Sequence, residues 1–416
     1  SPVGTGIVLK NTKAPSLTRM LIDNASNYAI RGTDVSGFTL ANSVIKGING
    51  TNGATPFDDS AIRFENLTGS AAITDTEVSG GREDNISVTN STGSLDRLSL
   101  TRVTIGLNSD ADGNDGLHLE SAATAGALKA TIQDSTFTGA RGDLVDYSHN
   151  GSGEGDLVID NSDFENNHSG IATGGGGLTL SRGGTGATTS MAIRNSTFRD
   201  AIGTAVLVYK AAGPSVITGA FENNTIGVTG DGNSGSAQGS GLKLQSVGQG
   251  TMTWSVTGNQ IRGYNNHGIA ELAGGGATAT SGNINTTITG NTIAEPGSTP
   301  NQAEFPKNGI HFNIGTVTGD TFATCAVIGG EGGLANRISG SGKAAASDPG
   351  TDYDFRLRQR QATTIRLPGY GQANNDNAAV QAFVAGRNSA DGTPFGLAGN
   401  TVPTGGGFTG TGTACP

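Results

Sequence analysis

IRNSTFRD at 193–200 reappears along the chain as IDNSDFEN at 159–166, FENNTIGV at 221–228, VTGNQIRG at 256–263 and ITGNTIAE at 288–295. Each copy closes on a Phe or Ile that follows a polar or small pair and one variable residue. Aligning on that closing residue picks out Ile45, Val78, Ile105, Phe137, Phe164, Phe198, Ile226, Ile261 and Ile293, with successive gaps of 33, 27, 32, 27, 34, 28, 35 and 32 residues. A recurrence of about 31 residues with insertions is the mark of stacked repeats.

Each repeat carries two further alternating segments. One follows a Gly, as in DGLHLE at 115–120, SGIATG at 169–174, SGLKLQ at 240–245, HGIAEL at 267–272 and NGIHFN at 308–313; the other precedes the motif, as in TSMAIRNSTF. Period-two alternation rich in Val, Ile and Thr and broken by Gly and Asn excludes helical repeats. A propeller blade needs about four hairpin-linked strands in ~40 residues, and these units are shorter, with few tight-hairpin signals. Three short strands per turn, stacked in parallel about 4.8 Å apart, satisfy the backbone and place like residues on like. The closing Phe or Ile then points inward, Asn or Gly sits at a corner with left-handed backbone angles, and stacked Asn side chains bond along the ladder. Corner chemistry accounts for the many N-x-S/T triplets better than glycan attachment does.

The totals fit this plan. Of 416 residues 69 are Gly, and only 14% are charged and 5% aromatic, so any core must be thin and shared along the chain. A net charge of −10 disfavours nucleic acid and anionic membrane surfaces as partners. No apolar run is long enough to span a bilayer, which argues against membrane insertion. The N-terminus, SPVGTGIVLKNT, lacks the pattern of a signal peptide and reads as a processed or excised piece; no amphipathic cap is visible there, so either further chain or another molecule is expected to cover that end. Two cysteines, Cys325 and Cys415, are too few for a disulfide scaffold or a zinc site but allow one bridge. That bridge would fasten the C-terminus; the alternative is two free thiols, and the penultimate residue is an odd place for a buried one.

The periodic pattern fades after 315. Residues 352–371, DYDFRLRQRQATTIRLPGYG, alternate Phe355 and Leu357 with Arg356, Arg358 and Arg360, then Ile365 and Leu367 with Arg366: one or two strands with a basic face, read as solvated and pairing with acidic neighbours. NNDNAAVQAFVAGRN at 374–388 predicts a short helix with an Asn or Asp cap, an apolar face of Val380, Phe383 and Val384, and Gly386 as its stop. The expected organisation is an all-β, right-handed parallel β-helix over 1–315, of nine to ten coils and on the order of 45 Å tall, followed by a C-terminal cap and tail over 316–416.

Units such as NGIHFNIG and TGNTIAEPGS, together with the ending DFRLRQRQATTIRLPGYGQANNDNAAVQAFVAGRN, resemble the repeat regions of large secreted or surface-displayed bacterial proteins of the parallel β-helix, pectin-lyase-like class. The resemblance covers most of the chain and implies an extracellular or cell-surface location and an adhesive, fibrous or matrix role. It transfers no catalytic residues.

Pectate lyases and polygalacturonases share this architecture, so chemistry has to be weighed. The densest cluster is NSDADGNDGLHLE at 108–120; one turn later RGDLVDYS aligns so that Asp143 stacks on Asp115 and Asp146 on His118. Asp115, His118, Asp143 and Asp146 are therefore the candidate groups for cleaving or binding a polysaccharide. Asp110, Asp112 and Asp115, spaced around a Gly turn, are the candidate calcium ligands. His149, His168, His267 and His311 stand alone and are expected on exposed strands or corners. No nucleophile sits on a sharp Gly-flanked turn, and the Gly-rich GDGNSGSAQGSG at 230–241 lacks the Lys and helix of a phosphate cradle. The reading that results is a non-enzymatic extracellular structural solenoid, self-associating into a fibre, sheath or adhesive layer; the alternative is a polysaccharide-binding or polysaccharide-cleaving β-helix.

Overall fold

The computed structural model of the chain describes residues 4–50, 59–109, 111–168, 175–297, 307–341, 353–371, 373–374, 376–390, 397, 399–402, 406–411 and 415. Two compact units, Ser1–Ala192 and Ile193–Pro416, follow the same plan. Each is a right-handed parallel β-helix in which a coil contributes one strand to each of three faces.

In the first unit, face one contains Leu128–Gln133, bonded to Leu95–Ile105 on one side and to Gly155–Asp160 on the other. Face two contains Thr136–Phe137 and Asp163–Glu165, and face three contains Ile86–Asn90, Leu117–Ser121, Val145–His149 and Leu178–Arg182. SGIATG lies outside the described residues; in that coil Leu178 takes the place opposite Val145.

The anchors align as the repeat requires. Ile22, Ile45, Val78, Ile105, Phe137 and Phe164 stand opposite one another in successive strands, and the Phe137 and Phe164 rings stack with centroids 4.9 Å apart. In the second unit the file is Phe198, Ile226, Ile261, Ile293 and Ile338. From Ile45 onward each of these side chains is buried, and each such burial is worth roughly 1.5–3 kcal/mol. With so few aromatic residues, this repetition supplies the core.

Corner and ladder turn out to be two adjacent residues. The first adopts positive φ: Asn42, Asp75, Asp134, Asn161, Asn195 and Asn223 do so at 47–54°, and Gly258 and Gly290 at 71° and 66°. Behind it, the side chain of the second turns inward. In the first unit this residue is usually Ser or Thr, Val103 being an exception, and the hydroxyl oxygen accepts a backbone N–H of the preceding coil, as from Met20 to Ser43, Ser43 to Thr76, Val103 to Ser135 and Ser135 to Ser162. In the second unit Asn224, Asn259 and Asn291 take this place, Asn336 and Asn388 extend the ladder without a left-handed residue before them, and the first four amides each donate to the next side-chain oxygen at 2.8–3.2 Å. The same Nδ2 groups also donate to backbone carbonyls, for example Asn259 to Phe221 and Asn291 to Val256. A stack of this kind leaves no amide unsatisfied in a buried corner.

The end of each face-three strand explains the buried histidine at 149. Ser121, His149 and Arg182 are inward neighbours there, and Arg182 donates to the carbonyls of His149, Gly151 and Ala187 at 2.9–3.0 Å. In the second unit Lys210 and Gln359 do the same work for the carbonyls of Gly213 and Thr363. The position needs a donor to satisfy the turn, so a polar residue is buried.

Parallel stacking runs past residue 315. Phe355–Gln359 pairs with Asn308–Ile314 and with Gly399–Val402, Arg337–Ile338 with Ser389–Ala390, and Thr364–Arg366 with Gly407–Thr409. The expected helix is present as Asn377–Ala385: the Asp376 carboxylate accepts from Ala379 N at 3.1 Å, Gly386 ends it, and Val380 and Val384 are buried. Phe383 packs edge-on against Tyr370 at 5.6 Å. Ala373–Asn374 runs antiparallel to Phe408 and Thr409, closing off the parallel pattern locally. Cys325 and Cys415 form a disulfide, with Cα atoms 5.5 Å apart.

Candidate functional site

Along face three of the first unit, inward Leu117, Leu119 and Ser121 alternate with outward His118 and Glu120. The register puts Ser87, His118, Asp146 and Thr179 in one outward row. Asp146 therefore lies over His118, the alignment the repeat predicts. Asp115 and Asp143 occupy the approach to the same two strands, where Asp115 Oδ1 accepts the Asp143 backbone N–H at 2.8 Å.

His118 is the centre of the cluster. Its Nδ1 is 3.2 Å from Asp146 Oδ2 and 3.4 Å from Asp115 Oδ2, and its Nε2 is 3.7 Å from Glu120 Oε2. Burial opposes its charge, yet the three adjacent carboxylates of Asp115, Asp146 and Glu120 outweigh that and hold its pKa up at about 12. Glu120 is correspondingly pulled down, chiefly by its hydrogen bond to His118. Burial pushes the Asp115 carboxyl up despite the His118 bond, and burial pushes Asp143 up to about 6. His118 thus keeps its proton through neutral pH and has no capacity to act as a base there. Asp143, at about 6, is placed to exchange a proton near neutrality.

Of the candidate calcium ligands, the two described ones have other neighbours. Asp112 is engaged by the Arg82 guanidinium, Asp115 faces His118, and Asp110 lies outside the described residues. Asp115, His118 and Asp146 do offer three ligand atoms within 4.8 Å of one another. That set has one imidazole nitrogen and two carboxylates where calcium takes six to eight oxygens, so it does not fit calcium.

The other histidines are not exposed. His149, His168, His267 and His311 retain 0–6% of their accessible surface. His149 bonds Ser121 Oγ at 2.6 Å and Gly153 O at 3.0 Å; His168 Nε2 bonds Asn108 O at 3.2 Å. His267 and His311 stack on each other at 4.1 Å, beside Arg356 and Arg358. Those two arginines form no ion pair with a carboxylate among the described residues, contrary to the expected pairing with acidic neighbours. The alternating Arg-x-Arg signal was visible; its convergence with histidines from an earlier coil was not. Glu271, which occupies the inward place that Leu119 and Leu244 hold in other coils, is fully buried, with Thr286 Oγ1 donating to it at 2.7 Å.

Compared with protein-family models and with curated proteins, the chain matches none.

Proposed function

We propose that the chain is an extracellular structural β-solenoid, a subunit of a fibre, sheath or adhesive surface layer whose work is mechanical. The observation that supports this most is the continuity of side-chain ladders inside parallel coils, above all the run from Asn224 to Asn388, which makes each coil stiffen its neighbours. The most polar cluster is consistent with it, since His118 is held between carboxylates of its own chain. Among the described residues Ile7–Lys10 and Leu21–Asp23 each pair with a strand on one side only. A further coil, from this chain's continuation or from a neighbour, would add there by strand pairing. The resemblance to surface-displayed bacterial repeat regions points the same way. Electron microscopy of native material is expected to show filaments or a sheath; dispersed monomers at all concentrations would count decisively against it.

The second reading is a β-helix that binds or cleaves a polysaccharide, favoured by Asp143, whose raised pKa beside Asp115 and Asp146 suits a general acid. Release of reducing ends or unsaturated sugars from acidic polysaccharides, abolished by Asp143→Asn and by Asp115→Ala, would establish it. No release from any substrate would remove it.

A further inference from the structure

Face three of the second unit carries a cluster of opposite sign. The register places Lys243, Ala270, His311 and Arg356 in one outward row, and Gln245, Leu272, Asn313 and Arg358 in the next. Ala270, small in a row of long side chains, leaves a hollow. The resulting pocket of about 270 Å³ is lined by Lys243, His267, His311, Asn313, Arg356 and Arg358 among others.

Its polar groups are donors in excess. The Asn308 backbone N–H donates to His267 Nδ1 at 3.4 Å, so the proton of the neutral ring sits on Nε2. His311 Nδ1, although buried, has no hydrogen-bond partner among the described residues, and neither do Arg356 Nε and Arg358 Nε. No carboxylate is among the lining residues. Burial, then Arg356 and Lys243, hold His267 down at about 3; burial, then His267 and the arginines at 356, 358 and 360, hold His311 well below its ordinary value. Arg358 is lowered to about 10 by burial and by Arg360 and Arg356, and Lys243 is lowered by burial. Cations gathered out of water without a counter-charge are costly, and an anion among them supplies the missing charge and offsets their mutual repulsion.

We infer that the pocket formed by Lys243, His267, His311, Arg356 and Arg358 is a binding site for an oxyanion, a carboxylate, sulfate or phosphate group, either free or carried on a saccharide. The volume suits one such group with at most a single sugar ring, and forked guanidinium donors from Arg356 and Arg358 match its oxygens. This site is separate from the Asp115 cluster and does not depend on the polymer reading.

The test is titration of the whole chain with sodium sulfate, sodium phosphate and a monomeric hexuronate, at ionic strength held constant with chloride, read by calorimetry and by the imidazole C–H resonances of His267 and His311. Saturable binding is expected, with both resonances shifting. Arg356→Gln and Arg358→Gln should each weaken it roughly tenfold or more, the loss of a charge-assisted hydrogen bond, whereas Arg337→Gln, exposed on another face, should not. A hexuronate that binds more tightly than sulfate identifies a saccharide-borne group; the reverse order identifies a free ion. The inference is overturned if the wild-type resonances do not shift saturably with any of the three, or if folded Arg356→Gln and Arg358→Gln bind as the wild type does. Should either variant misfold, the wild-type titration alone decides.

Discussion

Single residues carry most of what is unusual here. Glu271 stands between Leu244 and Phe312 in an inward row, and burial pushes its pKa up to about 8. Its folded pKa exceeds the unfolded value, so the native state binds the extra proton, and this group's contribution to stability is fully present below about 4.5 and is lost as pH rises through 8. Between pH 5 and pH 9 the urea midpoint of the wild type should fall relative to that of Glu271→Gln. The Asn ladder is a second residue-scale device. Asn291→Ala deprives the Asn259 backbone N–H and side-chain amide of their acceptor and leaves the Val256 carbonyl without its donor. We expect a loss of about 2–4 kcal/mol by urea unfolding, with Asn291→Ser less affected because Ser already fills the equivalent place in the first unit.

At the scale of elements, the corners and the C-terminal clasp are decisive. Gly258 and Gly290 supply the left-handed corner without a Cβ, where other coils use Asn or Asp. Gly290→Ala should cost about 1 kcal/mol and Gly290→Asn less, measurable as a shift in thermal midpoint. The helix Asn377–Ala385 packs against Gly399–Val402, and the bridge from Cys325 to Cys415 closes a 90-residue separation. Loop-closure entropy for that length sets an upper bound near 4–5 kcal/mol. Cys415→Ser is accordingly expected to lower stability by about 2–4 kcal/mol and to speed amide exchange first in Gly407–Thr409.

For the molecule as a whole, a coil touches chiefly its two neighbours, so stability is a sum of nearest-neighbour terms and opening starts from ends. Backbone amides of Ile7–Lys10, bonded on one side among the described residues, should exchange faster than those of Leu117–Ser121, bonded to Ile86–Asn90 and Val145–His149. Uniform protection in hydrogen-exchange mass spectrometry would contradict nearest-neighbour stability. Self-association, if it proceeds by strand addition, should raise the protection of Ile7–Lys10 selectively.

The amino-acid sequence by itself determined the repeat, its register and its corners, because a core this thin works only if like stacks on like; the spacing of Ile45 to Ile293 therefore encodes the inward files directly. It also held the capped helix, since Asp376, the apolar face and Gly386 are local signals. The alignment of Asp146 over His118 followed from the same arithmetic. What only the tertiary structure decided is which side chains leave that arithmetic. Four histidines are buried, and Lys243, His311 and Arg356 converge although more than forty residues separate each from the next. Loop insertions of variable length shift which residue occupies each outward row, and charge in one coil is felt by the coil above. Neighbours across about 4.8 Å of stacking are invisible to local patterns, and that is where the chemistry of this protein is assembled.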